Sequence, residues 1–83
     1  MRVTVLVRPK AGILDPQGDA VRGGLDHLGF RVNEARVGRV IDLDVDASST
    51  GEARAAAEEM CRSLLANPLI ESYEIEVHGN GGR

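Results

Sequence analysis

Three aspartates alternate along Asp42-Leu43-Asp44-Val45-Asp46 and are followed by Gly51-Glu52, which is the kind of oxygen-rich run that a calcium loop uses. Such a loop also needs glycine at its sixth position and glutamate at its twelfth, and counted from Asp42 those positions are Ala47 and Ala53. The spacing therefore fails, and Ile41, Leu43 and Val45 explain the alternation as a half-buried strand. Cys61 is the single cysteine. A cysteine nucleophile of glutaminase type belongs on an exposed turn with a histidine in reach, whereas Cys61 falls inside a helical pattern beside apolar residues, as a partly buried small hydrophobe does. His27 closes a helix, where a cation meets the negative end of the dipole, and His78 sits in a glycine-rich tail. Neither has a ligand partner at metal spacing, and no Gly-x-x-x-x-Gly-Lys run supplies a phosphate cradle. The residues predict no catalytic, cofactor or metal site on this chain.

The elements that would position any site are few. With 83 residues the chain holds one domain. Folding a chain of this size removes roughly 8,000 Å² from water, worth roughly 120 kcal/mol on its apolar part. Conformational entropy opposes it with about 125 kcal/mol, so burial against another subunit is a physical expectation. Phe30 and Tyr73 are the only aromatics, and the net charge of -3 leaves no basic stripe, so nucleic acid is not an expected partner. No apolar run is long enough to span a membrane, and no leader-like segment follows Met1. With a lone cysteine, a reducing cytoplasm is the expected location. Arginine far outnumbers Lys10, the sole lysine, which hints at a GC-rich bacterial genome.

Residues 2–8 alternate as a first strand with Val3, Val5 and Val7 on one face. Asp15-Pro16 then reads as a helix cap followed by proline at the first helical position. Val21, Leu25 and Leu28 form that helix's apolar face, and Gly29 stops it. The stretch from Phe30 to Asp46 reads as two antiparallel strands hinged at Val37-Gly38-Arg39, where glycine would supply the positive φ of a tight reversal, with a bulge near Asn33-Glu34. Ser49-Thr50-Gly51-Glu52 matches a capping box. The helix behind it is predicted to bury Ala53, Ala57, Met60 and Leu64, to pair Arg54 with Glu58 and Glu58 with Arg62, and to end at Asn67-Pro68. A last strand covers residues 70–77, with Tyr73, Ile75 and Val77 inward. The sum is one domain over residues 1–77 and a flexible tail over 78–83. The fold expected is an α+β βαββαβ ferredoxin-like two-layer sandwich, an antiparallel sheet with two helices on one face.

Acylphosphatases share that order and cradle phosphate after strand one. Here that loop, Pro9-Lys10-Ala11-Gly12-Ile13-Leu14, opens with a residue lacking an amide and has no Gly-x-Val-Gln-Gly-Val run. The run from Lys10 to Gly18, the Leu28-Gly29-Phe30 helix exit, the Arg36-Val37-Gly38-Arg39 turn and the ending from Leu64 to Glu76 together resemble the PurS family nearly end to end. Arg39 replaces a frequent lysine, and Gly23-Gly24 stand where alanine is more usual.

The resemblance implies a subunit that is not an enzyme on its own. It would bridge a glutaminase of PurQ type and a synthetase of PurL type in phosphoribosylformylglycinamidine (FGAM) synthase, the ATP-dependent carbon–nitrogen ligase of purine biosynthesis with glutamine as amide donor. ATP and magnesium would sit on the synthetase and no cofactor on this chain, which would assist ammonia transfer and form a homodimer or higher homo-oligomer. The partner contacts expected on the matched loops are Lys10, Asp15, Gln17, Gly18, Arg36, Gly38 and Arg39. A rival of the same topology is a free-standing ACT-like regulatory domain that binds a small ligand.

Overall fold

A computed structural model describes residues 1–79. Strand β1 (Arg2–Pro9) is followed by helix α1 (Pro16–His27), strand β2 (Arg39–Asp44), helix α2 (Thr50–Met60) and strand β3 (Glu71–Val77). The sheet runs β2-β1-β3 and is antiparallel throughout. The class is the expected one, α+β with two helices and an antiparallel sheet in the ferredoxin-like succession.

Register explains the burial. Val5 lies opposite Ile41 on one side and Ile75 on the other, and Val3 lies opposite Leu43 and Val77, so these six aliphatic residues of the three strands share one face. Val3, Val5 and Val7 are at most 1% exposed under α2, whose Ala53, Ala57 and Cys61 are all 0% exposed. The opposite face carries Thr4 between Asp42 and Glu76, and Leu6 between Val40 and Glu74. Arg8 there meets Glu74 at 3.4 Å. Thr4 Oγ1 donates to Asp42 at 2.8 Å and lies 2.7 Å from His78 Nε2, while the His78 amide donates to Arg2 at 3.0 Å. His78, placed in the tail by sequence, is thus held to the sheet, and the remainder of that tail beyond Gly79 lies outside the described residues.

Four local expectations are corrected. Ser49 caps α2 as predicted, accepting from the Glu52 amide at 3.1 Å, but the Glu52 carboxylate reaches the Ser48 amide at 2.7 Å instead of closing the box on Ser49. The buried stripe of α2 is Ala53, Ala57 and Cys61, spaced by four, with Met60 36% exposed and Leu64 83%. The reason is a π-turn over Cys61–Leu65, closed by Ala66 N donating to Cys61 O at 3.1 Å; its extra residue rotates Leu64 off the stripe. Arg62 pairs with Glu58 and Glu59, while Arg54 donates to the Ile75 carbonyl at 3.0 Å.

The fourth correction shapes the molecule. Residues 30–37, expected to pair with β2, join no ladder of this sheet. The chain bends at Asn33, where a bulge was anticipated, and then runs extended from Glu34 into β2 without reversing. Among the described residues the positive-φ glycines are Gly12, Gly29 and Gly79, so Gly38 does not make the predicted turn. Gly29 ends α1 as expected, at φ 97°. Whereas α2 lies on β1 and β3, α1 makes no comparable packing contact with any element. The chain is accordingly elongated, 49 × 28 × 14 Å.

Candidate partner-binding surface

The β1–α1 loop and the entry to β2 meet at one end of the sheet, and Asp15 joins them. Its Oδ1 accepts from the Gly18 amide at 3.0 Å, which is the cap of α1, while Oδ2 accepts from the Val37 amide, also at 3.0 Å. The Val37 amide first, then the Gly18 amide and the Arg36 guanidinium 4.0 Å away, hold this carboxyl below its ordinary pKa. Arg36 also donates to the Lys10 carbonyl at 2.6 Å, so a single side-chain pair fastens both segments.

Two glycines permit the approach. A Cβ on Gly18 would lie 2.2 Å from the Ala35 carbonyl oxygen, and one on Gly38 would lie 2.2 Å from that of Val7. Backbone meets backbone at both points, so neither neighbour can give way as a flexible side chain would.

Arg39 faces elsewhere. Its guanidinium crosses the end of β1 to grip Glu71 with two bonds of 2.8 and 3.0 Å and reaches the Leu65 carbonyl at 2.7 Å. Glu71 also accepts from the Asn67 amide at 2.7 Å. Arg39 first, then that amide, lower the Glu71 pKa, and the same pairing raises that of Arg39. This network locks the turn after α2 and ties the two edge strands together across β1. Between the two clusters opens a cavity of about 440 Å³ whose walls include Leu14, Gln17, Gly38, Arg39, Ile70 and Glu71. In its wall Leu14 is 80% and Ile70 is 42% exposed.

Of the residues proposed from sequence, Asp15, Gly18 and Arg36 converge with the Lys10 carbonyl in one latch, and Gly38 adjoins it. Gln17 lines the cavity, the Lys10 side chain is exposed, and Arg39 belongs to the second cluster. Leu14, Ile70 and Glu71 were not singled out; Glu71 is brought to Arg39 only by the β1–β3 register, which no local pattern announces. Among the described residues no group of three or more His, Cys, Asp or Glu side chains is placed to hold a metal ion. Cys61 is wholly buried, and burial, then the Glu58 carboxylate, push its thiol pKa up. No described helix is long and apolar enough to cross a membrane.

Fold and site together define a small ferredoxin-like α+β domain whose polar groups are spent on shaping one end of the sheet. The model of the family "PurS: Phosphoribosylformylglycinamidine (FGAM) synthase" matches residues 2–79. Phosphoribosylformylglycinamidine synthase subunit PurS of Methanocaldococcus jannaschii is 38% identical over 77 residues, covering 92% of this chain and 93% of the relative. PurS of Thermus thermophilus superposes with a TM-score of 0.77 at 43% identity, over 92% of this chain and 94% of that one. A chain in the structure of PurLQS from Thermotoga maritima gives 0.82 at 29% identity, over 90% and 93%. The chain belongs to the PurS family.

Proposed function

We propose that this chain is the adaptor subunit of an FGAM synthase. It is not an enzyme by itself; it bridges a PurL-type synthetase, which binds ATP and magnesium, to a PurQ-type glutaminase and assists ammonia transfer between them in the cytoplasm. The observation that carries this reading is the likeness, over 90% of the chain, to a chain of the PurLQS structure. Its physical basis is that ammonia released into bulk water is protonated and lost, so a rigid piece that holds two sites together raises their joint rate without supplying a reacting group. The end of the sheet built by Asp15, Arg36 and Arg39 is the surface offered to the partners, with the Lys10 amine, the Gln17 amide and Leu14 presented on it. The adaptor acts as a homodimer or higher homo-oligomer, in keeping with the uncovered apolar residues at the exit of α1, where Leu28 is 72% and Phe30 is 58% exposed.

Purified PurL-type and PurQ-type partners, assayed with and without the chain, test the reading. Glutamine-driven formation of the amidine requires the chain, while ammonia-driven formation persists without it. Equal glutamine-driven rates in its absence overturn the bridging role. Lys10→Glu is the contact test, because the Lys10 ammonium makes no hydrogen bond or ion pair among the described residues; it lowers co-elution with the partners while leaving the fold intact. Arg39→Glu cannot serve this purpose, since Arg39 is engaged in holding the fold.

A further inference from the structure

The face of the sheet that α2 leaves open is uneven in charge. Toward one end Asp42, Asp44 and Glu76 stand along β2 and β3, with Arg2 and His78 among them. Toward the other end, where β1 finishes and the chain enters β2, a cleft of about 300 Å³ has walls that include Leu6, Arg8, Arg36, Gly38, Arg39 and Val40. Three guanidinium groups therefore meet around it, and no carboxylate lines it. Leu6 pairs with Val40 in the β1–β2 register, so two aliphatic side chains lie together beside these cations.

The carboxylates that balance the three arginines stand behind them, and they hold them unequally. Arg39 is committed to Glu71 and the Leu65 carbonyl, and Arg36 to the Lys10 carbonyl with Asp15 nearby, so both are fixed by the fold. Arg8 is held loosely. Its partner is Glu74 at 3.4 Å, both side chains are more than half exposed, and a pair of that length in solvent contributes little. A carboxylate arriving at the cleft can replace Glu74 on Arg8 without opening either cluster, and it meets guanidinium groups already in position.

We propose that this cleft receives an acidic segment of a partner protein, its carboxylate among Arg8, Arg36 and Arg39 and an adjoining aliphatic side chain on Leu6 and Val40. The inference rests on the adaptor reading above and gives that end of the sheet a partner chemistry. The exposure of Val40, 61%, and of the Arg39 side chain, 50%, leaves the cleft shallow, with nothing to close over a free ion. An aliphatic floor beside arginines is instead covered by an occupant that brings apolar surface with its charge, as the centre of a protein interface does. Lys10, whose carbonyl Arg36 holds, adds an exposed cation to the same end. The acidic far end of the face repels a segment of that charge, so the field fixes the direction of approach as well.

Surface plasmon resonance on the immobilised chain, with purified PurL-type and PurQ-type partners applied singly and together at low salt, tests this. Arg8→Glu weakens binding about tenfold and Val40→Ser about threefold. Glu74→Gln tightens it, because the carboxylate that competes for Arg8 is gone. Opposite signs at Arg8 and Glu74 require an anionic occupant, whereas damage to the fold weakens binding in both; urea unfolding of each variant checks that the exposed substitutions leave the domain intact. If the natural chain binds and Arg8→Glu changes nothing, or Glu74→Gln fails to tighten, the inference is overturned while the adaptor reading stands. A natural chain that binds neither partner nor the pair overturns both. Saturable binding of inorganic phosphate to the free chain, read as amide shifts confined to residues 6–8 and 36–40, assigns the cleft to a small anion and overturns the inference too.

Discussion

On the β3 side of β1 and on its β2 side the chain uses the same ingredients, an alternating strand and an amphipathic helix, and reaches different ends. Under α2, Val5, Ala53, Ala57 and Cys61 are sealed at 0% exposure. Beside β2, Ile41 and Leu43 on the core face are only part-buried, and Val21 and Leu28 at α1 are 45% and 72% exposed. Helix propensity does not separate the halves, since both helices carry a side-chain cap. The connectors do. After α2, the turn at Asn67 reverses the chain and is held by Glu71, Arg39 and the Leu65 carbonyl, so β3 returns beside β1. After α1, the segment leading to Gly38 stays extended and nothing returns. A hydrophobic stripe states what must be buried, and the connector decides against which surface.

The contrast breaks most visibly in the closed half. Val5→Asp places a carboxylate in a site with no polar partner, at a cost comparable with the roughly 5 kcal/mol that holds a small domain folded. Loss of the cooperative urea transition is expected, whereas Leu69→Ser, at an exposed position, shifts the free energy by less than about 0.5 kcal/mol. A folded Val5→Asp chain would remove the distinction between the halves. Arg39→Glu ranks next. It breaks the grip on Glu71 and sets two carboxylates face to face, but Arg39 is half exposed, so solvent screening limits the loss to about 1 kcal/mol. Adding Glu71→Arg restores part of that loss in a double-mutant cycle; simple additivity would deny the pair its role in locking the turn.

The difference between the halves was only partly legible in the sequence. Alternation gave β1, β2 and β3 within two residues of their ends, and Asp15-Pro16 and Ser49 gave both helix starts, because these signals are local. Gly38 misled for a physical reason. Glycine permits a reversal and equally permits a close backbone contact, and here its missing side chain admits the Val7 carbonyl. The π-turn at Cys61 has no local signature either, so the stripe of α2 was continued to Leu64 when it ends one turn earlier. At the candidate site the loop residues were proposed as a group from family resemblance. The split into an Asp15 latch and an Arg39 lock depends on contacts 22 and 32 residues apart, which only the fold supplies.

The latch has a pH signature of smaller size. The Asp15 carboxyl titrates below its ordinary value in the folded chain, so the unfolded chain takes up its proton first as the pH falls. Its contribution is therefore complete above the usual carboxylate range and is lost as the pH drops through the lowered value. Asp15→Asn, which keeps one acceptor oxygen for two amides, flattens the acid limb of a plot of thermal midpoint against pH and leaves the alkaline limb unchanged. An acid limb identical to that of the natural chain would mean that Asp15 does not fasten the start of α1 to the entry of β2.

The mildest probe leaves stability alone and reads closure directly. Cys61 lies under α2 with its thiol pKa raised by burial, so iodoacetamide at mildly alkaline pH reaches it only when that half opens. The native rate should trail the rate in urea by about 10³ or more, the ratio set by a domain stability near 5 kcal/mol. A cysteine placed at Leu28, in a Cys61→Ala background, should instead react in dilute solution at close to the rate of the unfolded chain. Its protection should grow with protein concentration, because only another molecule is in a position to cover it. Equal rates at the two positions in dilute solution would show that the α1 face is covered within one chain, and the two halves would then be closed alike.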